Sequence, residues 1–170
     1  CALKFQGGLL NITTRDFTWN IYISKRKKTQ INQTKIIVKH IRTEGNGYTY
    51  FGFNLKKKPF DDLNIRKAIS YAINKEEIIN GVLLGLGEEI TSPYKPGTYW
   101  ENRSINKISF DVSKSRELLE KSGYQLNANN IYEKDGKPLA FEILTNQNKQ
   151  REMTAVLIQR RLQDIGIDVS

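Results

Sequence analysis

Arg151 and the four residues before its helix, Thr145-Asn146-Gln147-Asn148, are the group in this chain best suited by type and spacing to hold a ligand. A guanidinium presents a planar fork of donors that matches a carboxylate, including the terminal carboxylate of a peptide. Taken alone, Arg151 reads more simply as a solvated residue on a helix surface. Covalent chemistry has no such grouping. There is no Ser/His/Asp order, no G-x-S-x-G elbow and no paired-carboxylate spacing. The single cysteine, Cys1, excludes an internal disulfide framework and a multi-cysteine zinc site. His40, the one histidine, sits inside the apolar run Ile36-Ile37-Val38-Lys39-His40-Ile41 with no Cys or second His near it. That is the setting of a core or strand-edge histidine rather than of a metal ligand or general base. No catalytic residue, metal ligand or cofactor is expected.

The elements that must position Arg151 follow from periodicity. Asp135-Gly136 between two apolar runs predicts a hairpin. Leu139, Phe141 and Ile143 alternate as a half-buried strand, a helix runs from about Lys149 to Ile165, Gly166 ends it, and Ile167-Asp168-Val169 starts a second strand. This is a βαβ unit with a parallel pair. Ligands in open α/β sheets bind beyond the carboxyl ends of strands, which selects Thr145, Asn146 and Arg151. Upstream, residues 48–87 predict a scaffold. An aromatic run from Tyr48 to Leu55 reads as a short buried strand, and Asp61-Asp62 offers N-cap oxygens. Ile65, Ala68, Ile69, Ala72 and Ile73 line one helical face. Asn74 then caps a second helix, where Ile78, Ile79, Val82 and Leu83 repeat that face. Asp111 caps a further helix holding Leu118 and Leu119, which Gly123 stops. Residues 91–100, rich in Pro and aromatics and including Tyr94, read equally as a surface loop pinned by its own rings or as a pocket wall. Nearer the start, Leu9–Thr13, Phe17–Ile23 and Ile36–Ile41 have strand character, with Gly7-Gly8 as a turn.

Charge is unevenly shared. Residues 1–47 carry nine Lys/Arg against two acids; the rest carries eighteen against sixteen. A basic half of this kind, with Lys25-Arg26-Lys27-Lys28 at its centre, suggests a small nucleic-acid-binding protein as the alternative reading. No aromatic platform is interleaved with those charges, so a solvated turn is the plainer account. Neither a secretory leader nor an eighteen-residue apolar run is present in these 170 residues. The strand-like pattern at Ile167–Ser170 breaks off, as expected of a piece of a longer protein. Cys1 invites a lipid-anchor reading, but the sequence after it lacks a polar tether and reads as an interior segment.

Three stretches carry a family resemblance in order: FNLKKKPFDDLNIRKAISYAINKEEII (53–79), FDVSKSRELLEKSGY (110–124) and GKPLAFEILTNQNKQREMTAVLIQRRLQDIGIDV (136–169). Each resembles a signature of the family 5 extracytoplasmic solute-binding proteins, which serve ATP-driven oligopeptide, dipeptide and nickel importers. The resemblance implies an α/β fold, a periplasmic-binding-protein type II-like lobe with a mixed sheet flanked by helices, present as an incomplete fragment. Residues 1–47 would be the C-terminal piece of the preceding lobe and crossover strands; 48–170 would be most of the second lobe. It implies a protein that does no chemistry and captures a peptide, or a nickel chelate, in a cleft between lobes. An ABC-transporter membrane permease would be its partner, and its location extracytoplasmic, membrane-tethered as a lipoprotein. The position matching Arg151 then faces the peptide. Gly52 matches a cleft-facing position, Tyr50 and Asn54 share its parity along the strand, and Tyr94 lies on a loop near the cleft. Gly52 is expected to leave room rather than to supply a contact. The family's partner for the peptide α-amino group falls past Val169, so this chain is expected to hold half a site. The exposed cleft edges of a lone lobe also raise the prospect of self-association.

Overall fold

The computed structural model describes residues 10–14, 17–24 and 35–41 as backbone, and residues 47–170 with side chains. Cys1, the Gly7-Gly8 turn and the Lys25–Lys28 cluster lie outside the described residues. The chain divides into two units, Cys1–Thr49 and Tyr50–Ser170.

In the first unit, β1 (Leu10–Thr14), β2 (Phe17–Ser24) and β3 (Lys35–Ile41) form an antiparallel sheet in that order. Its register places Ile12 opposite Trp19 and Ile21 opposite Val38. The strand character read from alternation is therefore met. His40 lies on β3, an outer strand of this sheet, opposite Trp19.

The second unit is built on α1 (Leu63–Ala72), whose expected apolar face is its buried face: Ile65, Ala68, Ile69 and Ala72 are fully enclosed. Asp62 caps it by accepting the Asn64 N–H at 2.7 Å. Against this face packs α3 (Val112–Lys121), capped by Asp111, which accepts the Lys114 N–H at 2.9 Å. Two bonds tie the helices together: the buried Ser115 hydroxyl donates to the Ala68 carbonyl at 2.8 Å, and the Asp111 N–H to the Tyr71 carbonyl at 2.9 Å. At the end of α3 the Gly123 N–H reaches the Glu120 carbonyl and the Tyr124 N–H the Leu119 carbonyl, the double bond of a Schellman ending.

Between them α2 (Lys75–Gly81) departs from expectation. Asn74 caps it as predicted, through the Glu77 N–H at 3.1 Å, but no residue of this short helix is fully buried. Ile78, Ile79, Val82 and Leu83 are only half-buried, so the face they repeat borders the core rather than entering it. A polar contact also reaches α2: Arg161 of the last helix holds Glu77 through two parallel bonds of 2.8 and 2.5 Å.

The hairpin forms where Asp135-Gly136 predicted it. β5 (Tyr132–Lys134) and β6 (Lys137–Pro138) pair across a two-residue loop in which both residues have positive φ, 53° and 71°, as a type I′ turn demands. β4 (Gln125–Leu126) pairs with β5 on the other side. The chain then enters β7 (Ala140–Phe141), crosses through α4 (Lys149–Asp164) and returns in β8 (Asp168–Val169), parallel to β7. Leu139, Phe141 and Ile143 point inward while Ala140, Glu142 and Leu144 are exposed, the expected alternation. Gly166 closes α4 at φ +97° and its carbonyl accepts the Tyr132 N–H at 2.7 Å, so one residue ends the helix and joins the hairpin to the parallel pair. In β8, Asp168 and Ser170 face β7 through their N–H groups, so the Val169 carbonyl points away from it; there the side-chain amides of Gln159 and Gln163 donate to it at 2.9 and 2.8 Å. Ile65, Ile69, Leu119, Tyr132, Leu139 and Leu162 form the centre of the resulting core. Among the described residues no helix is long and apolar enough to cross a membrane.

Candidate functional site

The loop between β7 and α4 is shaped by its own asparagines. The Asn148 N–H donates to the Asn146 carbonyl at 2.8 Å, and the Asn148 side chain caps α4 by accepting the Arg151 N–H at 3.2 Å. The parallel ladder continues one step beyond β7, where the Ile143 N–H reaches the Ser170 carbonyl at 2.9 Å. Thr145 therefore sits where the strand runs out, at the carboxyl end of the pair. Beside it lies an open hollow of about 220 Å³. Ile143, Thr145 and Ser170 form the sheet side of that hollow; Glu152, Ala155, Val156 and Gln159 form its helical wall. Thr145, Asn146 and Arg151 are all exposed at this end. The helical wall was missed in the sequence. Its signal was present, since 152, 155, 156 and 159 fall at i, i+3, i+4 and i+7, but the stripe mixes an acid, an amide and two small apolar residues and so does not stand out as a hydrophobic face.

The segment Tyr48–Leu55 corrects an expectation. Among the described residues it pairs with no strand, and Tyr48, Tyr50 and Leu55 are exposed. The alternation nonetheless holds on one side. Phe51 and Phe53 turn toward the core, where Phe51, Phe53, Phe60 and Phe141 form a chain of rings with successive centroids 5.2, 5.4 and 5.1 Å apart. Two anchored rings fix the segment beside β7 without a ladder. Gly52 and Asn54 are exposed on the opposite side with Tyr50. The Tyr50 ring covers Gly52: a Cβ there would meet its Cε2 at 3.1 Å and its Cδ2 at 3.5 Å. The space next to Gly52 is thus occupied from within the chain. Asn54 has a local task, as its side-chain oxygen accepts the Lys56 N–H at 3.1 Å and its carbonyl the Lys57 N–H at 3.0 Å, which starts the turn into α1.

Tyr94 belongs to a third group. Its ring lies 6.4 Å from Trp100, which Tyr99 meets edge-on at 5.2 Å, and all three rings are exposed. Glu101 organises this loop by accepting the Gly97 N–H at 2.8 Å and the Arg103 Nε at 3.2 Å. Those two bonds hold its carboxyl below the usual glutamate value. The loop is tied to α2 at Glu89, whose carboxylate takes Lys75 at 2.7 Å and Lys107 at 2.6 Å. Partial burial pushes the Glu89 carboxyl up, but the bonds from Lys107 and Lys75 outweigh it and the net direction is down. The predicted residues therefore fall into three clusters: Thr145, Asn146 and Arg151; Tyr50, Gly52 and Asn54; and Tyr94 with its aromatic neighbours. The chain of phenylalanines joins the first two through β7; among the described contacts none joins Tyr94 to either. No group of three His, Cys, Asp or Glu placed to hold a metal ion occurs among the described residues.

The family model of the middle region of bacterial extracellular solute-binding proteins, family 5, matches residues 6–170. The chain belongs to this family. It is similar to the oligopeptide-binding protein AppA of Bacillus subtilis, 36% identical over 126 residues that make up 72% of this chain and 23% of that protein. It is also similar to the nickel-binding periplasmic protein of Escherichia coli, 33% identical over 119 residues, 69% of this chain and 23% of that one. The solved structure of AppA in complex with a nonapeptide superposes with a TM-score of 0.65 at 36% identity, covering 70% of this chain and 24% of that chain. The chain of this family 5 member thus spans about a quarter of the length of the relatives it matches. Its fold is the α/β, type II periplasmic-binding arrangement expected from the three ordered stretches. The match runs through the basic first residues as well, which removes the motive for reading them as a separate nucleic-acid-binding module.

Proposed function

We propose that this chain is part of the substrate-binding component of an ABC importer, which captures peptides in a cleft between two lobes and delivers them to a membrane permease. Residues 1–47 belong to the end of the preceding lobe and its crossover strands, and 48–170 to the second. The observation that carries this reading is the carboxyl end of the β7–β8 pair, where Thr145 and Asn146 border an open hollow and Arg151 stands exposed one turn into α4. Exposed main-chain and hydroxyl groups at a strand end suit the amides of an extended peptide, and an unobstructed guanidinium suits its terminal carboxylate. Tyr50, Gly52 and Asn54 present a neutral wall, and Tyr94 extends the surface through its loop. The family consists of solute-binding proteins rather than enzymes, and these residues bind without reacting. The site is extracytoplasmic, and tethering of the whole protein through a lipid anchor fits that location.

Titration calorimetry of the full-length protein with a pool of tri- to pentapeptides tests the proposal, with a nickel–histidine chelate as a second titrant. Saturable peptide binding that weakens at least tenfold on Arg151→Ala is expected. Binding of the chelate alone, or of neither, would sink the peptide reading.

A further inference from the structure

Arg151 and Glu152 are neighbours on α4 that serve different faces. Consecutive side chains of an α-helix diverge by about 100°. Glu152 lines the hollow beside Thr145, whereas Arg151 stands exposed outside it. One turn further along the same wall come Ala155 and Val156, and the half-buried Ile143 faces them from the sheet side. Gln159, one turn deeper, has its amide spent on the Val169 carbonyl at 2.9 Å. Glu152 is therefore the one charged side chain among the described residues around the hollow, and its carboxylate makes no hydrogen bond or ion pair with them. An acid in the first turn also suits the helix dipole, but Asn148 already caps this end and the dipole has no need of a hollow. An apolar trough with a lone carboxylate at its rim is complementary to a long side chain that ends in a cation.

We propose that Glu152 is a specificity-determining residue: the hollow takes the side chain of a C-terminal Lys or Arg, its stem along Ile143, Ala155 and Val156 and its charged end on the Glu152 carboxylate. This rests on the peptide-capture reading and adds a preference to it. The Cα atoms of Arg151 and Glu152 are about 3.8 Å apart, so the carboxylate held by one and the cation held by the other belong to a single peptide residue. The four-carbon stem of Lys covers apolar wall while its ammonium stays at the wet rim. Because the hollow is open and Glu152 exposed, the charge pair tightens binding by only roughly two- to fivefold over norleucine, which has the stem without the charge. That gain shrinks as salt rises.

The test uses the full-length protein and alanine tri- to pentapeptides, free at both ends, whose last residue is Lys, norleucine or Glu. Each is titrated by calorimetry at low and at high salt. Wild type should favour Lys over norleucine by that factor, less so at high salt, and the preference should vanish when Lys is moved to the first position. The Lys/norleucine affinity ratio should fall to near one in Glu152→Gln. In Glu152→Lys it should drop below one, with the Glu peptides now favoured over norleucine. A Glu152 that serves only the helix end, or that meets the peptide α-amino group, leaves the ratio near one in wild type, since every peptide carries the same termini. That result, or a ratio that survives Glu152→Gln, overturns the pocket while leaving peptide capture intact. Failure of wild type to bind any peptide overturns the capture reading and the pocket with it.

Discussion

Gly166→Ala should be among the most damaging single-methyl changes in this protein, and its size can be built from two terms. The first is backbone strain: Gly166 has φ +97°, and an L-residue held there costs roughly 1–2 kcal/mol. The second is steric. A Cβ at 166 would stand 2.5 Å from the Asn130 carbonyl oxygen and 2.9 Å from Leu126 Cδ2. The oxygen is backbone and cannot swing away, so overpacking adds roughly 1–3 kcal/mol. The expected loss is about 2–5 kcal/mol, a large share of the stability of a domain this size. Gly136→Ala is the control, because it has φ +71° and nothing within 4 Å of its Cβ position. It meets the first term alone, and any gain from a stiffer unfolded chain is common to both variants. In urea, followed by helical circular dichroism at 222 nm, the midpoint should fall by about 1–3 M for Gly166→Ala and by about 1 M for Gly136→Ala, at a slope near 1.5–2 kcal/mol per M. Equal midpoints for the two variants would refute the argument that the Asn130 carbonyl adds a steric cost to the dihedral strain.

Three further outcomes follow from the contacts described. Arg161→Met removes the paired bonds to Glu77; since both groups are partly exposed, global stability should change by less than about 1 kcal/mol, while the amides of α2 exchange faster with solvent. Unchanged exchange in residues 75–81 would show that α2 is held by its apolar contacts instead. Glu89 has its carboxyl depressed below the ordinary 4.5, so the hold it exerts on Lys75 and Lys107 is complete above that value and is lost as pH falls through the lower folded value. Amide protection across 87–110, taken relative to the intrinsic exchange rate at each pH, should fall on acidification below about pH 4.5, and Glu89→Gln should remove that dependence. Ser115→Ala, which deletes the buried bond to the Ala68 carbonyl, should cost about 1 kcal/mol in the same urea assay, and Ser115→Val more, because the bulkier side chain must also be fitted between α1 and α3.

The local parts of this fold were legible because they depend on neighbours in sequence. The stripe Ile65, Ala68, Ile69, Ala72 names its own buried face, Asp62, Asn74 and Asp111 stand where orphan N–H groups need oxygens, and Asp135-Gly136 dictates a turn type. The run Tyr48–Leu55 shows where that legibility ends. The shared parity of Tyr50, Gly52 and Asn54 was readable, and Phe51 and Phe53 turn to the other side, but a ladder requires a second strand, and a partner is not written into the run itself. The candidate site divides in the same way. Arg151 and Thr145 followed from the end of a predicted strand. The role of Asn54 in a turn and the parking of Tyr50 on Gly52 are matters of side-chain placement that spacing does not encode.

The two glutamine amides on the Val169 carbonyl bear on how this protein behaves in company. An outer strand usually recruits a stranger's backbone because its polar groups gain a partner by joining. Here, a strand adding beyond β8 must evict Gln159 and Gln163 from that carbonyl and return both amides to water. At that rung an added backbone N–H reaches the carbonyl only by displacing donors already on it. The Val169 carbonyl is thus satisfied from α4 on the side away from β7, and a Gln159→Ala, Gln163→Ala double variant removes both of those donors.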